Sequence, residues 1–294
     1  MQRPGAGGGC MAPRLTVNLV GPGKVGQTLG RCIADAALHD IQDVCGHDPG
    51  RTAAATAFIG SGTAVPSLAA MRPADIWLIT VPDTRIGTIS AELRDVQQQG
   101  AAVAVHCSGF LPASEMLPLR DLGWSLVSAH PVLTFADPAL AAAQFPGTQC
   151  GLEGDSAGLK VVADLMQGLG AHTFPVSTEG KPLYHAAAVI SSNFAVVLQA
   201  LAREAWQQAG VPDDVAKALN RSMLEAVVEN VTALGPQGAL TGPASRGDWT
   251  VVTRQHVAVS EWHPQAGEVY QALSFMARRL KRSGSTLRPV DEES

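Results

Sequence analysis

Short apolar runs alternate with helically spaced segments along the first half of the chain. "LTVNLV" (15–20) is a β-branched run of strand length, and "KVGQTLGRCIADAAL" (24–38) behind it has helical spacing of its apolar residues. The alternation continues. Strands are expected at 41–46, 74–81, 101–107 and 123–129, and helices at 51–58 and 84–98. A last strand–helix–strand unit fits 148–176, with its helix at 156–169. Strands that alternate with helices of this length imply a parallel sheet covered on both faces. This α/β domain is placed over residues 13–178.

Beyond residue 180 the strand signals stop. Long helical patterns cover about 182–209, 212–234, 248–260 and 265–281. Gly210-Val211-Pro212 reads as a helix stop and restart, and 234–248 as a Gly/Pro-rich loop of a length that is often functional. An all-helical domain is therefore placed over 179–282, with residues 1–12 and 283–294 as tails.

Composition narrows the function. The formal net charge is −5 and no basic stripe is present, which argues against a nucleic-acid partner. The most apolar stretch, 186–202, falls short of the ~20 residues a membrane span requires and contains Ser191, Ser192, Asn193 and Gln199, so no membrane span is expected. The N-terminal stretch lacks the apolar core of a signal peptide, and Met11 is a second candidate start. Five scattered cysteines, at 10, 32, 45, 107 and 150, suit neither a disulfide framework nor a zinc site and point to a reducing cytoplasm.

Gly21-Pro22-Gly23-Lys24-Val25-Gly26 matches G-x-G-x-x-G between an expected strand and an expected helix, the context in which that pattern binds a dinucleotide. Gly21 would make the turn, Gly23 admit the pyrophosphate and Gly26 bring helix against strand, with the helix N-terminus, Lys24 and Val25 included, facing the phosphates. Val81 and Pro82, at the end of the 74–81 strand, lie where the cofactor would pass. At the end of the second strand an NAD-binding chain usually carries an acid. Here Gly46 stands there, with His47 and Arg51 close by, which favours NADP; Asp48 keeps NAD open.

Taken together, "LVGPGKVGQTLG", "ITVPDTRI", "HCSG" (106–109), "AHP" (129–131), "KPLYHAAAVISSN" and "LTGPASRGD" carry a family resemblance. Over about 13–282 the chain resembles the Rossmann-like oxidoreductases with a C-terminal helical domain of unknown function. These are related to ketopantoate reductase, pyrroline-5-carboxylate reductase and the 6-phosphogluconate/β-hydroxyacid dehydrogenases. The resemblance implies NAD(P)-dependent hydride transfer, a site between the domains and a homodimer built on the helical domain, but no substrate; the expected function is hydride transfer between nicotinamide and a small carbonyl or imine.

On a straight helix Lys181, His185, Ser192 and Gln199 lie within about 40° of one another, floored by Ala188 and Ala195. The β-hydroxyacid dehydrogenase relatives carry a catalytic lysine on the first helix after the dinucleotide domain, and Lys181 matches it. They also carry an Asn four residues on, where this chain has His185. Both Lys181 and His185 therefore stand as candidate proton donors. Ser108, His130, Ser192 and Arg246 are candidate substrate contacts, and the guanidinium of Arg246 suits a carboxylate. Asp83 and Asp248 read most simply as helix N-caps. A non-catalytic dinucleotide-binding regulator is the alternative function, and it would not need the polar stripe.

Overall fold

A computed structural model describes residues 14–287. They divide into two compact units, one ending at Ser191 and one beginning at Ser192. This is later than the 178/179 boundary expected from the loss of strand signals, because the next helix starts as part of the sheet unit.

The strands of the first unit are β1 (Thr16–Val20), β2 (Asp40–Cys45), β3 (Thr63–Val65), β4 (Ile76–Ile79), β5 (Val103–His106), β6 (Ser125–Pro131), β7 (Gln149–Gly154) and β8 (His172–Pro175). They form one sheet in the order β3-β2-β1-β4-β5-β6-β7-β8. All neighbours are parallel except β6 and β7, where Ala129 faces Leu152 in an antiparallel pair. The last two strands thus run against the other six. Hydropathy did not reveal that reversal, since a strand buried on both faces reads alike in either direction.

Helices α1 (Lys24–Ala36), α2 (Pro49–Ile59), α3 (Ile86–Val96), α4 (Pro138–Gln144), α5 (Ser156–Gly168) and α6 (Lys181–Ser191) complete the unit. Side chains alternate across a strand, and β4 shows the consequence. Ile76 and Leu78 join one core with Leu29, Ile33, Phe145 and Val162, while Trp77 and Ile79 join the other with Ile86, Leu93 and Trp124. The indoles of Trp77 and Trp124 stack with centroids 5.0 Å apart. Strand order reverses between β1 and β4, and open sheets of this kind bind ligands beyond the carboxyl ends at such a point.

The second unit is helical: α7 (Asn193–Gln208), α8 (Asp213–Ala239), α9 (Pro243–Arg246), α10 (Trp249–Trp262) and α11 (Pro264–Ser283). The single helix expected over 182–209 is broken at Ser192, whose φ and ψ are −114° and −66°. The straight-helix spacing behind the expected polar stripe therefore ends at Ser191. The expected 234–248 loop is mostly helical. Gly235 turns left-handed at φ +69°, Pro236 resumes the helix to Ala239, and α9 follows. Proline is well tolerated in the first turn of a helix, so the pair interrupts α8 without ending it. Asp248 caps α10 as expected, accepting from the Val251 N–H at 3.3 Å. Within this unit Trp249 packs on Phe275 at 5.3 Å.

Candidate active site

Strand β1 ends at Val20 and α1 starts at Lys24, so the chain turns sharply between them. Gly21 supplies the turn with φ +83°, which a side chain would resist. Its N–H donates to the Cys45 carbonyl and its own carbonyl accepts from Thr80 Oγ1, both at 2.8 Å, tying the turn to the ends of β2 and β4. A Cβ on Gly26 would collide with Thr80 Oγ1 and stand 2.9 Å from the Gly21 carbonyl. Gly23 differs: a Cβ there would find only the Gly21 carbonyl, at 4.0 Å. Its outer side is open to a ligand. The N–H groups of Lys24, Val25 and Gly26 have no intrahelical acceptor and carry the positive end of the helix dipole. An anion is what such a turn accommodates, and the residues present fit a dinucleotide pyrophosphate. Val81 borders the turn, its N–H nitrogen 3.0 Å from a Cβ placed on Gly21, and Pro82 follows.

Since β2 ends at Cys45, Gly46 occupies the strand-end position. A Cβ there would lie 2.6 Å from Thr52 Oγ1 and 2.9 Å from Pro22 Cδ, so the packing leaves no room for a side chain. Asp48 caps α2, accepting from the Arg51 N–H at 2.7 Å. His47 and Arg51 are exposed.

A second group of polar residues gathers where β5 and β6 end. Ser108 is its centre. The hydroxyl donates to Asp83 Oδ2 at 2.7 Å and accepts from the N–H groups of Phe110 and Leu111 at 3.2 and 2.9 Å. The carbonyl accepts from Ser128 Oγ at 3.1 Å and from Lys181 Nζ at 3.4 Å. The Ser108 N–H donates to His106 Nδ1 at 3.1 Å, which leaves the other His106 nitrogen to donate to the Pro112 carbonyl at 3.0 Å. Asp83 is therefore a partner of this loop. The helical turn Asp83–Arg85 has no side-chain cap, so the N-cap reading of Asp83 does not hold.

Gly109 comes next, and the lack of a side chain matters. A Cβ would lie 2.6 Å from His185 Nδ1 and 2.7 Å from His130 Cε1. Glycine lets the loop run against both imidazoles. Their rings meet edge-on at 5.6 Å, and His130 Nδ1 lies 2.8 Å from the Tyr184 hydroxyl. His185 Nδ1 is buried with no hydrogen-bond partner among the described residues.

Lys181 is 1% exposed. Its ammonium donates to Ser128 Oγ at 2.7 Å. Burial lowers its pKa, against the opposing pull of Glu153 and Asp83. Its direct partners are the Ser128 hydroxyl and the Ser108 carbonyl, so it braces the loop from beneath. Ser108, His130, Lys181 and His185 thus come together in the sheet unit. Ser192 lies at the break before α7 and Arg246 at the exposed end of α9, both in the helical unit. Sequence reasoning missed Tyr184, Ser128 and the partnership of Asp83 with Ser108. Tyr184 lies within "KPLYHAAAVISSN" and Asp83 within "ITVPDTRI"; Ser128 stands two residues before His130.

Burial pushes His106 and His130 down to about 4. In the unfolded chain each would take up a proton below about pH 6.5. Between those limits the unfolded state binds more protons, so stability is full above about pH 6.5 and falls as the pH drops toward 4, by at most about 3 kcal/mol for His106. Urea unfolding as a function of pH should show this loss, and His106→Gln should reduce it to the share due to His130. A wild-type stability that stays level across the window would contradict the buried neutral histidines.

A Rossmann-like family model matches residues 1–131, and a domain of unknown function, DUF2520, matches residues 148–276. Among solved structures, protein TM1727 of Thermotoga maritima is 27% identical with a TM-score of 0.72, the alignment covering 91% of this chain and 99% of that one. A candidate NADP oxidoreductase of Bacteroides fragilis, BF3122, is 19% identical with a TM-score of 0.72, over 90% of this chain and 98% of that one. The Plasmodium falciparum pyrroline carboxylate reductase, solved with NADP bound, is 14% identical with a TM-score of 0.57, over 88% of this chain and 98% of that one. The last two are likenesses of fold. No curated protein matches the sequence.

Proposed function

From a Rossmann-like chain that carries a DUF2520 domain, we propose an NADP-dependent reductase or dehydrogenase acting on a small carbonyl or imine. One observation carries the reading. A glycine turn shaped for a pyrophosphate and a cluster of two imidazoles and a phenol stand at the carboxyl ends of strands in one sheet.

Bound nicotinamide supplies the hydride chemistry. Gly21, Gly23, Lys24, Val25 and Gly26 hold the pyrophosphate, and Val81 and Pro82 border the cofactor. His185 and His130 offer N–H donors to the oxygen or nitrogen on which negative charge develops. Lys181 acts mainly by positioning, holding Ser108 and Ser128 so that Gly109 stays wedged between the two rings. Lys181→Met tests the alternative that lysine is itself the donor. Ser192 and Arg246 are proposed substrate contacts on the helical unit. The free thiols of Cys32, Cys45, Cys107 and Cys150 suit a reducing cytoplasm.

NADPH is expected to bind more tightly than NADH. Gly46 has no room for the acid that would hold a ribose 2′-hydroxyl, the Asp48 carboxylate is engaged as a cap, and the cationic Arg51 side chain is exposed beside it. Titration by tryptophan fluorescence checks this. Equal or reversed affinities would remove the NADP preference and leave the fold untouched. Gly46→Asp, made to favour NADH, should weaken both cofactors by displacing Thr52 and Pro22.

We also propose a homodimer through the helical unit. Phe194, Val196, Met223, Val227 and Val228 are all more than half exposed, and α7 buries no residue. Apolar surface on that scale marks an interaction site. Lys181–Gln208 is also long and apolar enough to cross a membrane by length and composition. Its first residue is buried in the sheet unit and its helix breaks at Ser192, which favours the subunit interface. Light scattering should report a dimer; a monomer at micromolar concentration would refute it.

A further inference from the structure

Tyr184 is held from three strands. Its ring meets His130 of β6 edge-on at 5.5 Å and Phe174 of β8 at 6.0 Å. Gly151 of β7 makes room for it, since a Cβ there would stand 2.8 Å from the phenol oxygen. The hydroxyl is 2.8 Å from His130 Nδ1, and the direction of that bond can be argued. If Nδ1 carried the proton, the phenol would accept, and its own O–H would have no acceptor among the described residues. With the phenol as donor, one bond satisfies both atoms. Burial raises the phenol to about 12, so it keeps its proton at neutral pH. Burial, then His185 and Lys181, push His130 down to about 4, so its ring is neutral and carries a single proton.

We propose that Tyr184 is a positioning residue that fixes His130 as its Nε2–H form, so that this histidine meets the substrate as an N–H donor. The bond made by one ring nitrogen decides which form the other takes. The His130 tautomer follows from the bond geometry and from the burial that keeps its ring neutral. Only the identity of what accepts from it, a carbonyl oxygen or an imine nitrogen, rests on the proposed hydride transfer.

Nuclear magnetic resonance of the full-length protein with ¹⁵N-labelled histidine tests this, the His130 signals being those lost in His130→Gln. In the wild type the directly bonded proton should be found on Nε2, with Nδ1 bare and hydrogen-bonded. Tyr184→Phe should move the Nδ1 signal toward that of an unbonded nitrogen and let the Nδ1–H form appear, with NADPH affinity kept. A proton on Nδ1 in the wild type, or an Nδ1 signal indifferent to Tyr184→Phe, would overturn the proposal. If Tyr184→Phe does not fold, the wild-type spectrum decides by itself. A protein that reduces no carbonyl or imine would defeat the hydride-transfer reading and leave this spectrum as decisive as before.

Discussion

Glutamine in place of His185 should slow turnover about 10²–10⁴-fold, the usual contribution of a positioned acid, with NADPH affinity kept. Glutamine retains a polar side chain but shuttles no proton near neutral pH. The cofactor phosphates would rest on the turn at Gly21–Gly26, whereas the His185 ring lies against Gly109 and His130, so binding and chemistry should separate. His185 is held by packing, against the loop at Gly109 and the ring of His130. Its Nδ1 makes no hydrogen bond among the described residues, so the substitution removes none there and the fold should survive. Steady-state kinetics on a small keto acid or cyclic imine would read the loss. Undiminished turnover in both His185→Gln and Lys181→Met would make this cluster structural.

Valine at Gly26 should have the opposite signature, a protein that folds but scarcely binds cofactor. A Cβ at this position presses on Thr80 Oγ1 and on the Gly21 carbonyl. Thr80 is the group that pins the turn, so α1 must shift and its first N–H groups lose their aim. Losing two hydrogen bonds to a charged phosphate costs about 3–6 kcal/mol, or about 10²–10⁴-fold in affinity. Fluorescence titration with NADPH measures it. Affinity close to wild type would mean that the pyrophosphate does not rest on this turn.

The cofactor half of the site was legible in the sequence because its requirements are local. A turn, a close approach and a helix N-terminus follow one another within six residues, and glycine is what each of the first two demands. The alternation of strand and helix was legible for the same reason. The loop at Ser108–Gly109 was not, because its partners come from the turn at Asp83–Arg85, from β6 and from α6, far apart in the chain. Asp83 had the usual look of a cap, and only the fold shows its carboxylate on Ser108. The break at Ser192 was hidden too: neither glycine nor proline marks it, and the stretch around it keeps a continuous apolar pattern. The edge strand β3 is three residues long and the reversal of β7 leaves no trace in hydropathy.

The measurement that bears most directly on the whole reading is NADPH oxidation, followed by absorbance, across a panel of small keto acids and cyclic imines, for wild type and His185→Gln side by side. Wild type should consume NADPH with at least one member of the panel, and His185→Gln should bind NADPH normally yet consume it at least about 10²-fold more slowly. NADPH that binds tightly and is consumed with none of them would contradict the enzyme and favour a protein that only senses the dinucleotide.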